Sequence, residues 1–327
     1  MQCLHEGRLA GGSQQGLVRV QFCEPPAGLR RYFTSFYLVE IDGPPDARFT
    51  DHLHPEWANL RFFSGTGPVA EGMLGDRVEN APFCATGPSS RAVRFAVGPT
   101  RMWGIGLLPL GWAMFVDRPA AEFADRVVDG ATDPAFARFA PLARELFGPK
   151  PDAEGEFARI ASHFRAVAAR EVPGERQILA LHAALLDPDI ASAHELADRL
   201  GLSQRTTERI ARRSFGFTPK LLLRRQRFMR SLAQYMLDPS LKWIGALDGL
   251  YHDQAQFVRD FRQFMGMSPR EYGLHDKPVI GAILRERARI AGNAVQTLDS
   301  PEGGAPVGAG PPPALPAGPV AAGDACP

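Results

Sequence analysis

Two stretches of this chain repeat each other at an offset of 50 residues, which restricts the region from about Leu185 to Tyr272 to a tandem of similar units. Phe215-Gly216-Phe217-Thr218-Pro219 aligns with Met265-Gly266-Met267-Ser268-Pro269. At the same offset Gln204 meets Gln254, Arg209 meets Arg259, and Arg212 meets Arg262.

Each unit has the composition of a helix-turn-helix. In the first, Glu195 to Leu200 reads as a short helix with Leu196, Ala197 and Leu200 inward. Gly201 then turns the chain and Ser203 caps the next helix, Gln204 to Ser214. Helical spacing directs Thr207, Ile210, Ala211 and Ser214 to the core and leaves Gln204, Arg205, Glu208, Arg209 and Arg212 on the opposite face. In the second unit Asp253 takes the capping place, and Gln254 to Phe264 buries Phe257, Phe261 and Phe264. Gln254, Gln256, Arg259 and Arg262 stay outward, with Asp260 and Arg262 also open to pairing with neighbours. Arginine forks match guanine O6 and N7, and glutamine matches adenine N6 and N7 in a major groove. One such helix is as readily an ordinary solvated face, but two with the same division of faces argue for DNA reading.

Pro219 suits the first position of a further helix, which meets no breaker before Asp238-Pro239. Its length, roughly 28 Å at 1.5 Å per residue, suits recognition helices set one DNA turn apart, roughly 34 Å, in successive major grooves. Lys220 and Arg224 on this linker are candidates for phosphate contact.

The chain's net charge of +1, from 37 Lys and Arg against 36 Asp and Glu, gives no hint of such a partner. Its distribution does: Arg199 to Arg230 holds ten Lys or Arg against the single acid Glu208.

From Leu29 to Leu108, aromatic and β-branched runs (Arg31 to Val39, Trp57 to Phe63, Val93 to Val97, Met102 to Leu108) alternate with Gly, Pro, Asp and Asn, as in an antiparallel sandwich or barrel. Pro119 to Val128, Pro134 to Phe147 and Glu154 to Ala169 have helical spacing, as do Leu179 to Leu186 and the basic segment Ile280 to Ile290. Ser300 to Pro327, almost all Gly, Pro and Ala, reads as a disordered tail.

Leu179 to Tyr272 resembles the DNA-binding domain of the AraC-type (AraC/XylS) transcriptional regulators. The resemblance rests on Leu196-Ala197, Ser203-x-Arg205-x-x-x-Arg209, Gly216-x-x-Pro219, and Tyr251-His252-Asp253-Gln254-Ala255-Gln256-Phe257-x-Arg259-Asp260-Phe261 with Gly266-Met267-Ser268-Pro269. Thr207 and Ala211 stand where the family has larger residues, and Leu250 stands where it has the turn glycine, here shifted back to Gly249. More weakly, the run to His54-Pro55-Glu56-Trp57, Gly104 to Leu108, Pro109-Leu110-Gly111-Trp112-Ala113 and the helix expected after Pro119 resemble the cupin-like sensor domains that precede such DNA-binding domains.

The expected fold is α+β and multidomain. An N-terminal cupin-like β-barrel or sandwich with helices precedes a C-terminal all-α domain of two helix-turn-helix units joined by a long linker helix. The expected divisions are 1–130 for a β-rich sensor or dimerisation domain, 131–175 for a helical linker region, 176–276 for the DNA-binding domain, and 277–327 for a C-terminal helix and tail. The resemblance implies double-stranded DNA as partner, with a small-molecule effector, a second copy in a homodimer, and RNA polymerase as further partners. Two readings stay open: a regulator switched by a ligand in the β domain, and a constitutive DNA-binding protein whose N-terminal half only dimerises.

Enzymatic alternatives find little support. Asp51-His52-Leu53-His54-Pro55-Glu56 gathers two His and two Glu/Asp near one another, but Pro55 interrupts the strand and no second cluster follows. A surface strand or turn is expected there, not a metal site. The four cysteines, Cys3, Cys23, Cys84 and Cys326, have no paired spacing and read as reduced thiols. No phosphate loop, nucleophile elbow or zinc-protease motif occurs. No catalytic residue, metal or cofactor is expected, nor a membrane span or signal peptide, so the expected location is the cytoplasm.

Overall fold

The computed structural model describes residues 3–10, 17–116, 118–168, 171–237, 240, 254–291 and 295–301. The strands are β1 (Cys3–Ala10), β2 (Leu17–Cys23), β3 (Phe33–Asp42), β4 (Phe49–Leu53), β5 (Ala58–Ser64), β6 (Val69–Gly72), β7 (Arg77–Glu79), β8 (Phe83–Thr86), β9 (Val93–Val97), β10 (Thr100–Leu107) and β11 (Val127–Asp129). Alternating burial in β2, with Val18, Val20 and Phe22 inward, is the pattern of a strand with one covered face. By contrast, β5 and β10 are buried on nearly every residue, which puts them at the sheet centre with both faces covered.

These strands form two antiparallel sheets that do not close into a barrel: seven strands in the order β1-β2-β3-β10-β5-β8-β11, and four in the order β4-β9-β6-β7. The aromatic runs anticipated as strands fall within β3, β5, β9 and β10 apart from a residue or two at their ends. The region from Pro119 to Val128 is a correction: it holds a short 3-10 turn at Ala120–Glu122 followed by β11, not a helix. Asp125 breaks the spacing. It adopts φ 58°, and its carboxylate accepts from the Ser90 backbone N–H at 2.5 Å and hydroxyl at 2.8 Å, turning Val127 onto Thr86 of β8.

The helices are α1 (Pro109–Phe115), α2 (Ala140–Glu145), α3 (Ala153–Val167), α4 (Glu175–Leu186), α5 (Ala193–Leu200), α6 (Gln204–Ile210), α7 (Pro219–Leu237), α8 (Gln254–Met265), α9 (Pro269–Leu274) and α10 (Ile280–Ala291). The linker helix keeps the bounds its sequence sets, starting on Pro219 and ending before Asp238. None of the described helices is long and apolar enough to cross a membrane.

Three apolar cores organise these elements. The first joins one face of the large sheet (Phe36, Leu60, Trp103, Ile105) to α1, α3 and α4 and also to Leu196, Ile210 and Phe215 of the first helix-turn-helix unit. The second lies between the two sheets and takes in Val279 and Ala282 of the C-terminal segment. In the third, Phe228, Leu232 and Tyr235 of α7 meet Phe257, Phe261 and Phe264 of α8 and Tyr272 of α9, closed by Ala92 and Val295. The first unit therefore rests on the sheet domain's own core, while the second has a core with its linker helix.

Candidate nucleic-acid interface

In the first unit α5 starts with a capping box, the Glu195 N–H donating to Ser192 Oγ at 3.2 Å and the Ser192 N–H to Glu195 Oε2 at 3.3 Å. Gly201 ends α5 at φ 63°, a conformation a side chain rarely adopts, and so makes the turn. Ser203 Oγ then accepts the Thr206 N–H at 3.2 Å and starts α6. Past Ile210 the recognition helix ends in a π turn, Ala211–Phe215, that buries Ala211, Ser214 and Phe215. Gly216 follows at φ 86°, where a Cβ would stand 3.2 Å from Pro88 and 3.4 Å from the Ala120 carbonyl. That close approach presses the end of α6 onto the sheet domain.

Thr207, Ile210, Ala211 and Ser214 are buried, and Gln204, Arg205, Glu208, Arg209 and Arg212 are all exposed. Within that outer face Arg212 Nε donates to Glu208 Oε1 at 2.9 Å, and Gln204 Nε2 lies 3.2 Å from His194 Nδ1. Each exposed pair exchanges water for a local partner of little net strength, so a nucleic acid can displace it.

In the second unit α8 fully buries Phe257, Phe261 and Phe264. Gln254, Arg259 and Arg262 are exposed and Gln256 is half-buried. The expected cap Asp253 and the turn around Gly249 and Leu250 lie outside the described residues, as does the tail from 302 to 327. A second capping box, Ser268 with Glu271, starts α9 on Pro269.

On the linker helix Lys220 is exposed, but Arg224 is engaged. Its Nε and Nη2 donate to Asp260 Oδ1 at 2.8 Å and 2.5 Å, and its guanidinium lies 5.6 Å from the Phe264 ring centroid. Asp260 is itself buried, with Arg227 at 3.5 Å. This buried acid fastens α8 to α7, the neighbour pairing anticipated for it.

Arg225 departs from the exposed basic face that the arginine-rich sequence suggests. It is fully buried against the sheet domain, 4.0 Å over the Trp57 ring. The π turn and the fully buried Arg225 are among the features that sequence reasoning missed; for Arg225, Trp57 beside the His/Glu cluster was the available signal.

The cluster from Asp51 to Glu56 requires a second correction, because it forms a buried seam and not a surface strand or turn. Asp51 accepts the N–H groups of Val279 at 3.1 Å and Ile280 at 2.8 Å. His54 Nε2 lies 2.7 Å from the Tyr272 hydroxyl. Burial, with the Lys277 and His52 charges, pushes the His54 pKa down to about 3, so its imidazole is neutral. Glu56 accepts from Arg61 Nη2 at 2.7 Å and 3.0 Å, from Thr86 Oγ1 at 3.0 Å and from Asn59 Nδ2 at 3.0 Å. Burial alone would lower the Arg61 pKa, but the Glu56 charge, the Tyr37 hydroxyl and the hydrogen bonds to both together outweigh it and the net direction is up. These acids are occupied by amides, a guanidinium and the Thr86 hydroxyl. Among the described residues no three His, Cys, Asp or Glu are grouped to hold a metal.

Between the two sheets lies a cavity of about 50 Å³ whose lining is apolar apart from Arg61, Thr86 and Thr100. Phe63, Phe95 and Met102 line it from the sheets and Val279 and Ile283 from the C-terminal segment.

No curated protein matches the chain in sequence. Among solved structures, ToxT from Vibrio cholerae O395 shares 11% identity over 69% of this chain and 94% of its own, with a TM-score of 0.39. Unsaturated fatty acid-bound wild-type ToxT from Vibrio cholerae strain SCE256 shares 9% over 81% of this chain and 96% of its own, with a TM-score of 0.37. The AraC-like transcriptional activator CuxR shares 12% over 67% and 82%, with a TM-score of 0.28. In sequence, residues 196–274 match the family model described as a helix-turn-helix domain. The C-terminal region of this chain is an AraC-type helix-turn-helix domain.

Proposed function

We propose that this chain is a non-enzymatic transcriptional regulator that reads double-stranded DNA with α6 and α8 in successive major grooves, acts in the cytoplasm, and is switched by a small effector in its sheet domain. The observation that carries the DNA reading is the matched division of two helices: α6 buries Thr207 and Ile210 and exposes Arg205 and Arg209, and α8 buries Phe257 and Phe261 and exposes Arg259 and Arg262. Gln204, Arg205, Arg209, Gln254 and Arg259 are assigned to base edges. Glu208 and Gln256 orient their neighbours, Arg212 and Arg262 flank the groove, and Lys220 meets phosphate. Arg224 supports α8 through Asp260 and reaches phosphate only by giving up that bond.

The effector reading is supported by the direct packing of the sheet domain on α7, which gives a molecule bound there a mechanical route to the DNA-binding units. A second copy of the chain and RNA polymerase are the further partners this role calls for. Selection of bound DNA from a random pool by the purified full-length protein, with and without a panel of metabolites, tests both parts. Enrichment of a defined site supports DNA reading, and an unenriched pool sinks it. Enrichment that no metabolite changes removes the effector switch and leaves a constitutive DNA-binding protein.

A further inference from the structure

The loop between β8 and β9, residues 87–92, runs along the helical units and touches them in chain order. Pro88 abuts the first unit, where a Cβ on Gly216 would stand 3.2 Å from Pro88 Cβ. The next residue, Ser89, gives its carbonyl to Arg225 Nη1 of the linker helix at 2.9 Å. Ala92 then donates its backbone N–H to the Phe264 carbonyl of α8 at 2.7 Å and closes the apolar core of the second unit. That carbonyl lies in the last turn of α8, where a helix leaves its C=O groups without an intrahelical partner. Beside it the sheet domain makes a second contact: a Cβ on Gly266 would stand 3.0 Å from Met73 Cε, in the turn between β6 and β7. Gly216 and Gly266 occupy the same position of the 50-residue repeat, just past their recognition helices, at φ 86° and 74°. The sheet domain thus meets both recognition helices at the same, C-terminal end.

The loop itself is firmly held. Each of its N–H groups has an acceptor: Gly87 bonds the Arg126 carbonyl, Ser89 the Glu56 carbonyl, Ser90 and Arg91 the Asp125 carboxylate, and Ala92 the Phe264 carbonyl. Pro88 has no N–H to satisfy, and the Ser89 hydroxyl accepts the Glu56 N–H at 2.9 Å. A shift of the loop therefore breaks several bonds at once. From Pro88 to Ala92 the chain can span at most roughly 14 Å, so the ends of the two recognition helices are set at one short separation. The two units otherwise have separate apolar cores, with Ile210 and Phe215 in one and Phe257, Phe261 and Phe264 in another, and α7 runs between them. A single helix joining two bodies fixes their distance along its axis and leaves rotation about that axis to side-chain packing. A brace off the axis removes that freedom.

We propose that the β8–β9 loop is this brace: through Pro88, Ser89 and Ala92 it sets the separation and relative rotation of α6 and α8, and so determines which spacing of two half-sites the chain reads. The inference rests on the DNA reading and adds to it a specificity element outside the helix-turn-helix domain. Asp125 is its positioning residue. At φ 58° it turns the chain, while its carboxylate takes the N–H groups of Ser90 and Arg91 and the Ser90 hydroxyl.

Selection of bound DNA from a random pool by the full-length protein and its variants tests this, with base preference inside each half-site and spacing between half-sites read separately. The unchanged chain is expected to select half-sites at one spacing, roughly 10 base pairs centre to centre. Asp125→Gly keeps the left-handed turn but removes the carboxylate, and a Gly-Gly insertion between Arg91 and Ala92 lengthens the loop. Both are expected to select several neighbouring spacings with base preference unaltered. Both should also bind the original site about tenfold more weakly, because the two helices are no longer held ready for it. Asp125→Asn keeps an oxygen acceptor and suits the same turn, and is expected to restore the single spacing. One unchanged spacing in both loosened variants, or base preference lost in step with spacing, would overturn the proposal. An unenriched pool with the unchanged chain would instead remove the DNA reading, and this proposal with it.

Discussion

The guanidinium of Arg225 lies 4.0 Å from the centroid of the Trp57 ring and joins the linker helix to the sheet domain. Its Nη1 donates to the Ser89 carbonyl at 2.9 Å and the Glu56 carbonyl at 3.3 Å, whereas Nε and Nη2 have no acceptor. Among the described residues no carboxylate pairs with it. Burial lowers its pKa to about 9, only partly offset by the Asp125 charge, so it is still a cation at neutral pH. A desolvated cation on an indole gains about 2 kcal/mol, against a burial cost of several kcal/mol per ion.

Replacing this cation by an apolar chain of similar length is therefore expected to stabilise the docked arrangement. Arg225→Met should raise the unfolding free energy by about 1 to 3 kcal/mol. Arg225→Ala, which also empties the space over Trp57, should lower it by about 2 to 4 kcal/mol. Urea unfolding of the two variants measures the difference. A methionine variant less stable than the unchanged chain would contradict this account of Arg225.

Asp260 makes the opposite case, since its carboxylate is buried and fully engaged. Removing it takes the shared carboxylate away from Arg224 and the largely covered Arg227 at the α7–α8 contact. Asp260→Ala should cost about 1 to 3 kcal/mol, less than for a fully buried pair because the Arg224 side chain is 36% exposed and can turn to water. Asp260→Ala combined with Arg224→Ala should cost much less than the sum of the two single changes. Additive losses in that double-mutant cycle would show that the pair is not coupled.

The repeat made the two recognition helices legible in the sequence because helix faces follow a fixed period: Ile210 and Phe261 had to face inward wherever the units sat. The strands were legible for a similar reason, their β-branched and aromatic runs being bounded by Gly and Pro. What sequence did not disclose depends on partners distant in the chain. Asp51 and Val279 are 228 residues apart, and nothing local to either marks their contact. The same holds for His54 with Tyr272 and for Arg225 with Trp57, where charge and polarity argued for the surface and tertiary packing overrode them. The Pro119 to Val128 segment was misread because its apolar spacing fits a helix equally well until Asp125 takes its left-handed turn.

Base reading and phosphate contact separate by their salt dependence. Arg205→Ala or Arg259→Ala should lose about 1 to 3 kcal/mol on the selected site and relax base preference at one position. Lys220→Ala should weaken specific and random DNA alike and reduce the slope of log K against log salt by about 1. Titration on both DNAs at several salt concentrations distinguishes these outcomes. Equal losses on both DNAs for Arg205→Ala would remove it from the base-reading set.

Acid should loosen the seam between the sheet domain and the helices. Burial, then nearby positive charge, pushes His54 and His182 down to about 3 from 6.5. Each is thus held neutral in the folded chain, and the stability this gives is full above pH 6.5 and lost as pH falls toward 3. At pH 5 the loss is on the order of 2 kcal/mol per histidine. Asp51 works in the other direction: burial raises its pKa to about 6 against the hydrogen bonds from Ile280, His52 and Val279, so its contribution grows as pH falls from 6 to 3.8. Its gain at pH 5 is on the order of 1 kcal/mol, too small to offset two histidines. Unfolding at pH 7.5 and pH 5 should therefore show a net loss of about 3 kcal/mol. His54→Gln can still bond the Tyr272 hydroxyl but does not titrate, and should lose only about 1 kcal/mol over the same interval. A variant with the full acid sensitivity of the unchanged chain would move the pH response away from the His54–Tyr272 contact.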